Sequence, residues 1–182
     1  LLFHVQDINL WYATAGLCAI GVILGLLFDY FYNNQAWYRR YIEPYIWWLL
    51  IVSTLGGIAS TLLYSEVFGF IPCSFCWLGR IALYPQALMA VTAWKLKDTH
   101  YFPLYGIVLS AFGFLVAVYH YIYQSLPQEL HETLLPCLAD GSADCSKKVM
   151  EVFGFVTFPF LSAVLFAFLI VLYLHMRKAR SL

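Results

Sequence analysis

Five long apolar runs, separated by short polar connections, constrain this chain more than any other feature. They lie near Ile8–Phe28, Tyr45–Tyr64, Trp77–Trp94, Tyr101–Tyr123 and Val152–Leu174. Each can cross a hydrocarbon layer of about 30 Å, which takes roughly 17–25 helical residues. Inside lipid every backbone N–H and C=O must find its partner within the protein, so such runs fold as helices. Composition agrees: of 182 residues 63% are hydrophobic and only 11% charged, against about 25% charged in an average soluble domain. The expectation is all-α, an integral membrane helix bundle. Formal net charge is zero, which gives no argument for a nucleic-acid partner; the expected surroundings are membrane lipid. No basic stretch precedes the first apolar run, so a cleavable signal peptide is not expected.

Cations sort the connections into two sides. Arg39, Arg40, Lys95, Lys97, Arg177, Lys178 and Arg180 fall on one, Lys147 and Lys148 on the other. The positive-inside rule makes the richer side cytoplasmic. The N-terminus is then outside, the C-terminus cytoplasmic, and both cysteine pairs face outward. Lys95–His100 permits only a tight turn, so the third and fourth spans are antiparallel neighbours. His120 and Gln124 then come close in depth to Cys76 and Arg80.

Five cysteines are present, four of them in two close pairs, Cys73/Cys76 and Cys137/Cys145. Paired cysteines near a membrane surface fit an oxidising compartment. A Cys-x-x-Cys can close a small disulfide or bind one metal as thiolates. Arg80 follows Cys76 by four residues, one turn along the same helical face. Pro72 suits the approach to a helix start, where free N–H groups and the helix dipole favour a thiolate. A cysteine there can have its pKa drawn from about 8.5 to roughly 3.5–7.5. A stabilised thiolate beside a fixed guanidinium is a redox arrangement, whereas a structural zinc knuckle has no use for the arginine. His120, ionisable and within a span, is a candidate of the same kind.

The external loop 125–151 is the one sizeable polar region. Leu130, Leu134 and Leu135 form a stripe opposite Glu129 and Glu132, as in a short helix lying on the membrane surface. Asp140-Gly141 marks a turn between Cys137 and Cys145. Elsewhere, Gly21-x-x-x-Gly25, and Ser53, Gly57 and Thr61, offer small residues at helical spacing for close packing. The first span is expected to pack through Gly21 and Gly25 and to take no part in electron transfer. Cys18 reads as a buried apolar residue. Trp11, Tyr12, Trp37, Tyr38, Trp47, Trp48, Trp94, Tyr101, Tyr119 and Tyr123 read as interfacial anchors.

Pro72-Cys73-x-x-Cys76-Trp77-x-x-Arg80-x-x-x-Tyr84-Pro85 resembles the signature of the DsbB/BdbC family of disulfide-bond formation proteins. Tyr119-His120-x-x-x-Gln124, the pair Cys137/Cys145, and Phe153-Gly154-Phe155-Val156-Thr157-Phe158-Pro159-Phe160-Leu161-Ser162 follow in the family's order. The likeness covers about Tyr45 to Leu174. It implies a quinone-dependent protein-disulfide oxidoreductase of the bacterial cytoplasmic membrane. Cys73, Cys76, Cys137 and Cys145 would be catalytic, and Arg80, His120 and Gln124 would hold ubiquinone or menaquinone. The implied partners are a thioredoxin-like, DsbA-type soluble oxidase, and the quinone pool with its respiratory chain; the DsbA–DsbB–quinone relay is a known case of this chemistry. By resemblance the partner attacks Cys137, opening a Cys137–Cys145 bond, and electrons pass through Cys73/Cys76 to the quinone.

Members of this family usually have four spans. The chain therefore divides into residues 1–44, an extra N-terminal transmembrane helix with a cytoplasmic loop; 45–176, a four-helix redox domain; and 177–182, a basic cytoplasmic tail. The short spacing of the loop cysteines resembles the BdbC-like branch. A VKOR-like oxidoreductase is the nearest alternative, but there the loop pair precedes the Cys-x-x-Cys. A non-enzymatic membrane protein with two structural disulfides leaves Arg80 unexplained. A four-thiolate metal site would carry stoichiometric metal through purification.

The charge asymmetry yields a first prediction. In intact, reduced cells a membrane-impermeant thiol reagent should label the loop cysteines. Labelling that appears only after lysis reverses the orientation.

Overall fold

Helices carry nearly all of the chain, as its apolar content demands. The computed structural model describes residues 2–127 and 144–180. In order the helices are α1 (Leu2–Phe31), α2 (Ile46–Leu62), α3 (Ser74–Leu96), α4 (Phe102–Ser125) and α5 (Phe158–Arg180). Two short strands, β1 (Glu151–Val152) and β2 (Val156–Thr157), pair antiparallel just before α5. Four helical stretches are long and apolar enough to cross a membrane: Val5–Phe31, Tyr38–Val67, Phe102–Ser125 and Phe158–Ala179. The chain is a multi-pass membrane protein.

The expected third span is a helix, but it is not one of those four. At 23 residues α3 reaches about 35 Å at 1.5 Å per residue, so its length is sufficient. Its composition is what differs, because it carries Arg80, Pro85 and Gln86. These are accommodated by the helices around it. Gln86 is fully buried; its Oε1 accepts from the Ser110 hydroxyl at 2.9 Å and the Tyr173 hydroxyl at 3.1 Å, joining α3, α4 and α5. Its Nε2 donates to the Ala82 carbonyl at 2.9 Å.

Small residues on one face of α4 set the α4–α5 packing. Gly106, Ser110, Gly113 and Ala117 are all buried. A Cβ on Gly106 would collide with the Tyr173 ring, and one on Gly113 with the Phe166 ring. Close approach of this kind drives helix association in lipid, where hydrophobic burial gives no advantage. The α3–α4 turn is as tight as expected: Lys97 ends α3 with φ 53°, and the Asp98 carboxylate accepts from the N–H groups of His100 and Tyr101. At the α1–α2 turn, buried Asp29 accepts from the N–H groups of Trp37 and Tyr38, the free donors at the next helix start.

Several expectations need correction. The fifth helix begins at Phe158 rather than Val152, because Phe153 (φ 56°) and Gly154 (φ 76°) adopt the left-handed conformation that turns β1 into β2. Gly21 and Gly25 are not the packing face of α1, since a Cβ on either meets nothing. Gly16 is instead seated against Leu161 of α5. Cys18 is exposed on α1, not buried. Tyr38 is buried, stacked on the His175 ring with centroids 4.7 Å apart, and Tyr123 is buried too, so neither is an interfacial anchor. The surface helix expected around Leu130, Leu134 and Leu135, the Asp140-Gly141 turn and Cys137 lie outside the described residues.

The two sets of glycines give a paired prediction. Gly113→Leu should lower thermal stability of the detergent-solubilised protein by about 1–3 kcal/mol through overpacking, whereas Gly25→Leu should leave it unchanged. Equal unfolding temperatures for the two variants contradict this packing.

Candidate active site

Cys73 ends an extended approach (φ −74°, ψ 172°) and stands immediately before the first residue of α3. Its sulfur therefore lies beside the unpaired N–H groups of a helix start. Cys76 comes round on the first turn, bringing the two sulfurs to 2.9 Å. Both thiols are free and within reach of forming a bond. A hydrogen bond from the Cys76 thiol is the main influence holding the Cys73 thiol well below its ordinary range. Hydrogen bonding and charge from His120 and the Cys76 backbone N–H act in the same sense, and burial opposes them.

Arg80, one turn further, is 8% exposed. One guanidinium nitrogen donates to the Thr61 carbonyl at 3.0 Å, and the group lies 5.1 Å from the Trp77 ring centroid. Thr61 sits where α2 gives way to a wide π turn over Leu63–Val67, an irregularity often found at functional sites. The carbonyl also accepts from the Ser65 hydroxyl. The Thr61 side chain in turn shares a hydrogen bond with the Tyr84 hydroxyl at 3.0 Å. None of these supports was legible as such; only the four-residue spacing of Ser53, Gly57 and Thr61 marked this face of α2.

From α4, His120 brings Nε2 to 3.8 Å from the Cys73 sulfur and 3.2 Å from the Cys145 carbonyl oxygen. Without a proton, Nε2 accepts from the Gln124 amide at 3.2 Å and can take the proton of the Cys73 thiol. With a proton, it donates to the Cys145 carbonyl. Gln124 also donates to the carbonyls of Cys145 and Lys147 at 3.4 Å. Its Oε1 is buried with no partner among the described residues.

Cys145 is disulfide-bonded and 1% exposed. It packs in one apolar cluster with Cys73, Phe75 and Tyr123, against which Cys76 and Tyr119 also lie. The Phe75 ring, missed by sequence reasoning, stands 5.3 Å from both the Tyr119 and His120 rings. Of the expected site residues the structure thus brings together Cys73, Cys76, Arg80, His120, Gln124 and Cys145, while Cys137 lies outside the described residues. Those six line a single cavity of about 420 Å³, within the roughly 300–1,000 Å³ typical of small-molecule sites. Cys73, Cys76 and His120 also lie close enough to share a metal ion, though Arg80 beside them opposes a cation.

A dithiol with one acidified sulfur, packed against a cystine inside a membrane bundle, suits the exchange of disulfides. The class is membrane thiol–disulfide oxidoreductase. The chain belongs to the DsbB family: the sequence model described as disulfide bond formation protein DsbB matches residues 43–176. A probable disulfide formation protein of Oceanobacillus iheyensis is 38% identical over 135 residues, 73% of this chain and 88% of the relative. In Bacillus subtilis, the SPbeta prophage-derived disulfide bond formation protein B is 36% identical over 70% of this chain and 82% of its own. Disulfide bond formation protein C of that organism is 30% identical over 74% and 91%. No solved structure matches the chain.

A lowered Cys73 pKa means thiolate persists as pH falls. Alkylation of Cys73 in the reduced protein, followed by peptide mass spectrometry, should stay fast at pH 6, below the ordinary thiol value of about 8.5. Cys76→Ala should slow it there by removing the main hydrogen bond. A rate that climbs about tenfold per pH unit through pH 7–8 in the unmodified protein contradicts the acidified sulfur.

Proposed function

We propose that this oxidoreductase reoxidises a soluble thioredoxin-like protein outside the membrane and delivers the electrons to a membrane quinone. The observation that carries the reading is the shared cavity: the free dithiol and the bonded Cys145 adjoin a space that also holds a buried guanidinium.

The residues suit a quinone. Arg80 presents hydrogen-bond donors to a carbonyl oxygen, and the orphaned Gln124 Oε1 can accept from a hydroxyl. When bound, the quinone supplies a two-electron, two-proton acceptor. Arg80 would hold the head group and favour negative charge developing on its oxygen; His120 and Gln124 would form the opposite wall. Each turnover converts two partner thiols into one disulfide and sends two electrons and two protons onward. A partner thiolate attacks Cys137 and displaces Cys145 as thiolate. Cys145 would then attack an oxidised Cys73–Cys76 bond at Cys73 and release Cys76 as thiolate. The second partner thiol displaces Cys137 from the partner's mixed disulfide. Cys137 displaces Cys73 from Cys145, which re-forms Cys137–Cys145 and leaves the reduced Cys73/Cys76 pair. His120, beside Cys73, is positioned to take and return the thiol proton.

In this proposal Arg39, Arg40, Lys95, Lys97, Arg177 and Lys178 face the cytoplasm and both cysteine pairs face the exterior. Residues 45–176 act as the redox domain in the bacterial cytoplasmic membrane. The redox relatives support the chemistry; the site roles rest on geometry and on the motifs.

Two substitutions test the division of labour. Cys137→Ser should abolish partner oxidation. Arg80→Met should leave a single partner turnover intact but slow quinone reduction about 30- to 1000-fold, the loss of roughly 2–4 kcal/mol from a charge-assisted hydrogen bond to a developing anion. Arg80→Lys should restore only part, since a point charge lacks the planar fork. Normal turnover in both Cys137→Ser and Arg80→Met contradicts the relay.

A further inference from the structure

The family match begins at residue 43, so α1 stands outside it. Yet α1 is not outside the cavity: Tyr12, Ala15, Gly16 and Ala19 line the same space as Cys76 and Arg80. Four contacts hold it there. The Tyr12 hydroxyl accepts from Ser60 Oγ of α2 at 2.9 Å, and the Tyr64 hydroxyl donates to Asn9 Oδ1. Ala13 is fully buried against Met150 and Val156 beside the β-hairpin. Gly16 lets α1 close onto Leu161 of α5.

Along its length α1 packs chiefly on α5; toward α2 it makes the Tyr12–Ser60 hydrogen bond near its start, and Ile23 and Leu26 near its end share the apolar core with Ile46, Leu50 and Ile51. Between those two points the cavity is lined by small residues of both helices, Ala15 and Ala19 of α1 and Ser53 and Gly57 of α2, with Leu83 and Leu165 seated against Gly57. The ionisable groups of the cavity come from Cys73, from α3 and α4, and from Asp144 and Lys147 beside Cys145. The α1 and α5 walls contribute mainly apolar surface, including Leu165 and Phe168. A cavity with one ionisable wall and an apolar body matches a molecule with a polar ring and a long hydrocarbon tail.

We propose that the cleft between α1 and α2 receives the prenyl tail of the membrane quinone, and that α1 is the wall that makes binding depend on the tail. This rests on the quinone reading above and departs from the expectation that α1 only packs. Tail recognition by α1 is a property of this chain that a bundle lacking the helix would not have.

The test uses the full chain in phosphatidylcholine nanodiscs and a benzoquinone carrying a photoreactive diazirine on its prenyl tail. Peptide mapping should place label between Tyr12 and Ala19, and excess unlabelled long-tailed quinone should remove it. Quenching of tryptophan fluorescence gives the affinities. Ala19→Phe, which fills the cleft, should weaken the long-tailed quinone tenfold or more and leave a tail-less benzoquinone unchanged. If Ala19→Phe does not assemble, Ala15→Phe on the same face carries the comparison. Label confined to residues 43–176, equal weakening of both quinones, or label persisting against excess long-tailed quinone each overturns the α1 wall while leaving the quinone site intact. Failure of the unmodified chain to bind any quinone is visible before any substitution, and it removes the functional reading together with this one.

Discussion

The hydrogen bond from Arg80 to the Thr61 carbonyl is the interaction on which the arrangement of this bundle turns. A guanidinium at the centre of a membrane helix costs at least about 2.5–3.5 kcal/mol, and an unpaired one in a dry interior would cost more. Arg80 avoids that cost by borrowing a backbone oxygen where α2 loosens into a wide turn. The same bond ties α3 to α2 one turn beyond Cys76. Gln86 does the corresponding work toward α4 and α5 with neutral partners. With its two buried polar side chains satisfied in this way, α3 can sit against the strongly apolar α2, α4 and α5 without being strongly apolar itself.

What sequence revealed about the site followed from short, regular geometry. Cys73, Cys76 and Arg80 share a helix start and its first two turns, and the spacing of Cys76 and Arg80 predicts a common face for those two. His120 and Gln124 followed from a connection too short to allow anything but an antiparallel neighbour. Cys145 belongs with them on the ground that lipid confines its loop to one side. The family resemblance rests on the same residues, and the match over 43–176 agrees with it.

Sequence failed where direction, rather than spacing, mattered. Gly21 and Gly25 have the right interval for a helix seam but face away from every neighbour, whereas the working glycines, 106 and 113, are seven apart. A four-residue interval specifies a stripe and does not say toward what. The start of α5 was placed too early because Val152 and Phe153 are as apolar as the helix they precede; only the positive φ at Phe153 and Gly154 breaks the run. Tyr12 has the composition of an interfacial anchor, and its bond to Ser60 depends on a contact across 48 positions of chain.

The way Cys145 is held has a kinetic consequence. His120 and Gln124 grip its backbone carbonyl rather than its sulfur. A loop cysteine usually has to search for its target, and the ordering of several residues adds to the barrier of every exchange. Here the Cys145 backbone is anchored beside Cys73, which leaves side-chain rotation as the motion that presents its sulfur. Such tethering converts a loop search into a rotamer step and raises the effective molarity of one sulfur toward the other. Alignment of the two sulfurs would then be a side-chain motion, leaving the barrier of each internal exchange to the making and breaking of the S–S bonds themselves.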